Sequence, residues 1–184
     1  MIGVGRMRNK VCAGSFLGVA GSLAAILIAA SPFAATPAAA KGETVAATGY
    51  AAGTIVIKTG ERRLYYYLGD GHAIRYPVGV GKAGQQWAGT SYISGKYRNP
   101  DWSPPASIRG DYSRLPAVVP GGSPQNPMGV AAMTLAGTEY AIHGTNSPGS
   151  IGGFVSHGCI RMYNPDITEL FNRTSYYATV VVIH

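Results

Sequence analysis

The side chains best suited to chemistry in this chain are Cys159, His143 and His157, which fall together in the glycine-rich stretch 142–162. A thiol beside imidazoles is the material of nucleophilic catalysis, in which a base takes the S–H proton as sulfur attacks. A free thiol with a pKa of about 8.5 is mostly protonated at neutral pH, so a neighbouring base or positive charge is needed. His157 stands two residues before Cys159, which in extended backbone puts both on one face. His143 arrives from a separate segment, where Tyr140, Ala141 and Ile142 read as the end of a β-strand. A base held on a rigid element and facing a nucleophile is what general-base catalysis requires. Taken alone, Cys159 reads equally well as a small buried hydrophobe, and either histidine as a surface or core residue. The density of Gly144, Gly149, Gly152, Gly153 and Gly158 favours a reactive loop, because a plain strand connection has no need of so much backbone freedom.

Other chemistries fit less well. Zinc accepts His nitrogen and Cys sulfur, but a structural site needs four ligands and a catalytic one three plus water. The remaining histidines, His72 and His184, are not brought close by anything in the sequence, so neither a metal nor another cofactor is expected. Ser156 lacks a Gly-x-Ser-x-Gly elbow. No pair of carboxylates is singled out by spacing for sugar hydrolysis.

The run His143-Gly144-Thr145-Asn146, then Ser150-Ile151-Gly152, then Ser156-His157-Gly158-Cys159-Ile160-Arg161-Met162 resembles the signature of the L,D-transpeptidases, the YkuD-domain family. The likeness extends upstream to Asn126-Pro127-Met128-Gly129 and, more loosely, to the strand-like opening at 53–67. Many members of the family carry Asn at the position of Arg161, and the Ile-Arg-Met ending resembles another common branch. The resemblance implies a mostly β, sandwich-like or layered-sheet domain with one or two short helices and long active-site loops. It also implies an acyltransferase in which Cys159 is the nucleophile, His143 the base and the Gly144 carbonyl the group that fixes the imidazole tautomer. Backbone N–H groups of His157, Gly158 and Cys159 are expected to form the oxyanion hole, where one donor is typically worth roughly 3 to 4 kcal/mol. His157 and Ser156 are alternatively read as ordering the cysteine loop.

The substrate implied by the family is a peptidoglycan tetrapeptide stem, cut before its terminal D-alanine. The acceptor stays open between a second stem, water and the lysine of a wall-attached lipoprotein. Arg161 reads either as a site for a stem carboxylate or as a structural arginine paired with an acid. Trp102 lies in a segment that in the family borders the approach to the groove, and it reads either as a substrate contact or as an aromatic pinning a loop. A catalytically idle wall-binding β domain is the alternative from a different class.

Arg6, Arg8 and Lys10 precede an apolar stretch at 11–30, and Ala38-Ala39-Ala40 follows. This is the pattern of a secretory signal peptide over residues 1–40. An uncleaved anchor is the alternative, since the stretch approaches the ~20 residues that span a bilayer. Export to the periplasm or cell wall is therefore expected, with membrane contact only if the signal is retained. Cys12 is preceded by polar Asn9 and Lys10 and does not read as a lipidation site. Without the leader, Cys159 is the sole cysteine, and a lone thiol in an exported protein favours reactivity.

Residues 41–184 carry 12 Lys and Arg against 8 Asp and Glu. That balance suits an anionic polymer or a membrane surface. The charges are scattered rather than striped, so nucleic acid is not expected. Residues 41–49 read as a linker and 50–184 as one catalytic domain. Short strands are expected at 53–58, 63–67 and 73–80, with turns at 59–61 and 70–71. A helix is expected at 166–173 after Pro165, followed by a central strand at 177–183. The Gly-, Pro- and Ser-rich middle, 82–128, reads as long loops holding Trp87, Tyr92, Tyr97 and Trp102.

Overall fold

The computed structural model describes residues 42–111 and 114–184. The leader expected over residues 1–40 lies outside them. Among the described residues no helix is long and apolar enough to cross a membrane.

The domain is mostly β, as expected. Its strands are β1 (Glu43–Ala46), β2 (Ile55–Lys58), β3 (Arg63–Tyr67), β4 (His72–Pro77), β5 (Val80–Gly81), β6 (Gly89–Arg98), β7 (Ala131–Leu135), β8 (Ala141–His143), β9 (Phe154–Ser156), β10 (Ile160–Arg161) and β11 (Thr179–Ile183). Among the described residues, two helices, α1 (Ala106–Asp111) and α2 (Asn164–Arg173), and a 3-10 turn at Pro148–Ser150 complete the elements. Nine strands pair in the order β1-β4-β3-β2-β11-β6-β7-β8-β10, and β5 pairs separately with β9.

Alternation explains the layering. Ile55 and Ile57 of β2, Val180 and Val182 of β11, and Met133, Ile142 and Ile160 of β7, β8 and β10 share one buried cluster with Ile167 and Leu170 of α2. Successive strand residues face opposite sides, so Val56 turns the other way and packs with Tyr67 and Ala73. β11 lies between β2 and β6, running parallel to the first and antiparallel to the second. Its β-branched run Thr179–Ile183 is suited to such a central place. Pro165 lies in the first turn of α2 and Asp166 adds an acid there, both favourable at a helix N-terminus.

Three elements differ from the sequence reading. The stretch read as a linker, 41–49, contains β1, which pairs antiparallel with β4 and places Glu43 opposite Arg75. Those side chains form an ion pair at 2.7 Å. Because β1 is almost wholly exposed, it shows no apolar alternation from which a strand could be read. The strand expected at 73–80 divides into β4 and β5, since β4 ends at Pro77, which cannot donate to a ladder. The irregular middle contains the ten-residue β6, so Tyr92 and Tyr97 are strand residues. β6 pairs with β11 through its first half and with β7 through its second, with a register shift between Ile93 and Gly95. That irregularity, together with two glycines, hides the strand from a simple period-2 reading.

Candidate active site

The register of β7, β8 and β10 builds the site. His143 is opposite Ala132 on one side and Arg161 on the other, while Ile142 is opposite Met133 and Ile160. Met133, Ile142 and Ile160 enter the core. The adjacent row of Ala132, His143 and Arg161 therefore projects from the opposite face. Cys159, one residue before β10, lies alongside Ala141, whose backbone hydrogen-bonds its sulfur. His143 and Cys159 thus come from neighbouring parallel strands and present their side chains to the same face. Both line one cavity of about 350 Å³, with Arg161, Trp102, Tyr140 and Ile108 among its other walls. Tyr97, opposite Ala132, extends the His143 row across β6. Lys96 has the opposite parity and reaches the Phe171 and Thr174 carbonyls at the end of α2, so the approach segment is split between the two faces.

His143 is 4% exposed. Its Nδ1 lies 2.6 Å from the Gly144 carbonyl, so Nδ1 carries the proton and Nε2 is left with a lone pair. Burial pushes the imidazole pKa down to about 4, and the Arg161 charge adds to the fall, against the opposing pull of the Gly144 and Pro127 carbonyls. Gly144 has no room for a side chain, because a Cβ there would collide with Asn164 Oδ1. That same oxygen accepts the Thr145 N–H at 3.0 Å. Asn164, the first residue of α2, thereby holds the turn whose carbonyl orients the histidine.

The cysteine turn is closed by Ser156. Its hydroxyl donates to the Cys159 carbonyl at 2.6 Å and accepts the Gly158 N–H at 3.1 Å. Gly158 sits at φ +124°, and a Cβ on it would strike the Tyr140 ring. Burial raises the Cys159 pKa, while the Ala141 backbone and the Arg161 charge act in the other direction. With the imidazole held low and the thiol held high, the resting pair is neutral thiol and neutral imidazole. In such a pair the proton moves as sulfur attacks.

His157 turns to a different partner. Its Nε2 lies 2.8 Å from Asp111 Oδ2 and 3.2 Å from Lys82 Nζ. Asp111 is held below the usual carboxylate range, first by the His157 hydrogen bond and then by the Lys82 charge. These contacts join the end of α1 to the cysteine loop.

Three organisers of the site were not legible as such in the sequence. Asn126, 1% exposed, donates to the Pro100, Val119 and Pro120 carbonyls and accepts the Met128 N–H, which fixes the loop carrying Trp102. Trp102 itself exchanges two backbone hydrogen bonds with Val119. Trp87 donates from Nε1 to the Gly158 carbonyl at 3.1 Å and stacks on Tyr140 at 5.4 Å. Asn164 is the third. Of these, only Asn126 lay within a stretch the family resemblance had marked.

Known proteins resemble this chain in sequence and in fold. A family profile described as the L,D-transpeptidase catalytic domain, YkuD, matches residues 52–183. The probable L,D-transpeptidase YbiS of Escherichia coli K12 is 44% identical over 128 residues, covering 65% of this chain and 40% of YbiS. The probable L,D-transpeptidase ErfK/SrfK of the same organism is 41% identical over 138 residues, covering 70% of this chain and 43% of that protein. The chain thus aligns with about two fifths of the length of these relatives. In fold, it resembles the crystal structure of L,D-transpeptidase 3 from Mycobacterium tuberculosis, with a TM-score of 0.58 at 15% identity over 71% of this chain and 60% of that one. On the profile match across residues 52–183, the chain belongs to the YkuD L,D-transpeptidase catalytic-domain family.

Proposed function

We propose that this chain is an exported cysteine L,D-transpeptidase acting on peptidoglycan tetrapeptide stems. The observation that carries the reading is the placement of His143 and Cys159 on one face of adjacent parallel strands, lining one cavity, with the imidazole tautomer held by Gly144.

In the forward step, His143 Nε2 takes the S–H proton as Cys159 sulfur attacks the carbonyl of the diamino acid's L-centre. The oxyanion is received by the backbone N–H of Cys159, since the Gly158 N–H is bonded to Ser156 Oγ. Collapse breaks the amide bond, His143 returns the proton to the departing D-alanine amine, and the stem remains on sulfur as a thioester. An acceptor amine from a second stem then attacks the thioester carbonyl. His143 takes the amine proton, and on collapse the sulfur leaves and is reprotonated, giving a cross-link between two diamino acids. Water in place of the amine gives L,D-carboxypeptidase activity, and a lipoprotein lysine gives wall attachment. Arg161 beside the pair is suited to a stem carboxylate, and Trp102 to the stem's flank.

The test is incubation of the chain with disaccharide-tetrapeptide, followed by mass spectrometry of protein and products. A stem-sized adduct on Cys159 with released D-alanine, both absent in Cys159→Ala, is the expected result, and the products identify the acceptor. No adduct and no turnover from a correctly folded chain would overturn the proposal in favour of an idle wall-binding domain.

A further inference from the structure

The residues between β5 and β6 carry no part of the proposed chemistry, yet two of them reach the nucleophile turn, Lys82 at His157 and Trp87 at Gly158. Trp87 Nε1 donates to the Gly158 carbonyl at 3.1 Å, and its ring stacks nearly parallel on Tyr140, with 21° between the planes. Tyr140 in turn occupies the space where a side chain on Gly158 would stand. The Gly158–Cys159 peptide is therefore held from two directions: its carbonyl by the indole N–H, and its Cα by the phenol ring.

A trans peptide points its carbonyl and the following N–H in opposite directions. Fixing the Gly158 carbonyl on Trp87 therefore fixes the direction of the Cys159 N–H. Tyr140 and Cys159 line the cavity, whereas Trp87 lies outside that lining. The indole therefore holds the carbonyl against a group outside the cavity lining, and the Cys159 N–H points in the opposite direction along the peptide plane. The Gly158 N–H is already committed to Ser156 Oγ. This makes the Cys159 N–H the donor of this turn whose aim matters most to a developing oxyanion. At φ +124°, Gly158 has rotational freedom that other residues lack. Without an external anchor the peptide can turn over and remove that donor.

We infer that Trp87 is a positioning residue that sets the oxyanion donor by anchoring the Gly158–Cys159 peptide. The inference rests on the acyl-transfer reading of Cys159.

The test compares Trp87→Phe with the parent chain in two reactions of the same sulfur. Acylation by a carbapenem or by disaccharide-tetrapeptide passes through an oxyanion, whereas alkylation by iodoacetamide does not. Phenylalanine keeps a flat ring against Tyr140 and removes the N–H. The acylation rate constant is expected to fall about tenfold or more, toward the loss seen when an oxyanion donor itself is removed, with KM nearly unchanged and alkylation unaffected. Equal rates in both chains, or parallel losses in acylation and alkylation, would overturn the inference. A parent chain that alkylates but never acylates would overturn the acyl-transfer reading instead. Carbon-13 labelling of the Gly158 carbonyl decides the anchoring in either case. Its resonance is expected to move upfield in Trp87→Phe as the hydrogen bond is lost, and an unchanged resonance would refute the anchor.

Discussion

The neutral pairing of His143 with Cys159 predicts how the thiol responds to pH. The imidazole pKa lies at about 4, so His143 stays neutral down to that value. Burial raises the thiol above its ordinary value, so it stays protonated across the neutral range. Between pH 5 and 8 the thiolate fraction should therefore rise about tenfold per unit, the slope of a group titrating well above that range. Alkylation of Cys159 by iodoacetamide consumes thiolate and should climb along that slope without a plateau. Acylation assisted by neutral His143 should instead be nearly level over the same range and fall only as pH approaches 4. The substitution His143→Gln should cost roughly 10² to 10⁴-fold in acylation, the usual contribution of a positioned base. Alkylation in that variant should match the parent rate at every pH, because neutral His143 does not set the thiolate fraction. The assay is stopped-time mass spectrometry of both adducts on one preparation. An alkylation plateau between pH 5 and 7 would refute the reasoning, because it would mean a preformed thiolate–imidazolium pair with the two pKa values in the opposite order.

Four further outcomes follow from the structure. The depressed His143 pKa lies below the unfolded value of 6.5, so the unfolded chain binds the proton first, and stability should fall by roughly 3 kcal/mol as pH drops from 6.5 to 4. Asp166 has the opposite sign: burial, with Glu169 adding to it, raises its pKa from 3.8 to about 7, so its contribution should be lost as pH rises through 7. Asp166→Asn should flatten that loss in melts at pH 5 and pH 8, and an unchanged pH slope would remove Asp166 from the explanation. Replacing Asn126 by Ala removes donors from three carbonyls and an acceptor from the Met128 N–H. It should cost about 2 to 3 kcal/mol and raise KM by loosening the Trp102 loop, measured by urea unfolding and by turnover. Gly158→Ala drives a Cβ into Tyr140 at a backbone angle that L-residues rarely adopt. It should lower the melting temperature and abolish acylation, and a fully active Gly158→Ala would contradict the positions of Tyr140 and Gly158 described above.

The sequence itself determined the local features of this protein. The run Arg63–Tyr67 matches β3 because its bulky, β-rich residues are bounded by turn chemistry on both sides. The helix at Asn164–Arg173 was legible from Pro165 and from Leu170 and Phe171 one turn before its end, and the reactive candidates from a lone thiol among glycines and histidines. What only the tertiary structure decided is which of these meet. His143 and Cys159 line one cavity because β8 and β10 run parallel in one particular register, which is a property of pairing and not of either segment. His157, closer to Cys159 in sequence, is instead drawn to Asp111 on α1, 46 residues away. Trp87 finds Gly158 across 71 residues, and Asn164 finds Thr145 across 19. The last three are polar contacts whose partners have no periodic signature in the chain. Hydrophobic period and turn residues report on backbone conformation within a few residues. The direction of a proton donor or a lone pair is set by whichever distant element the folded core brings beside it.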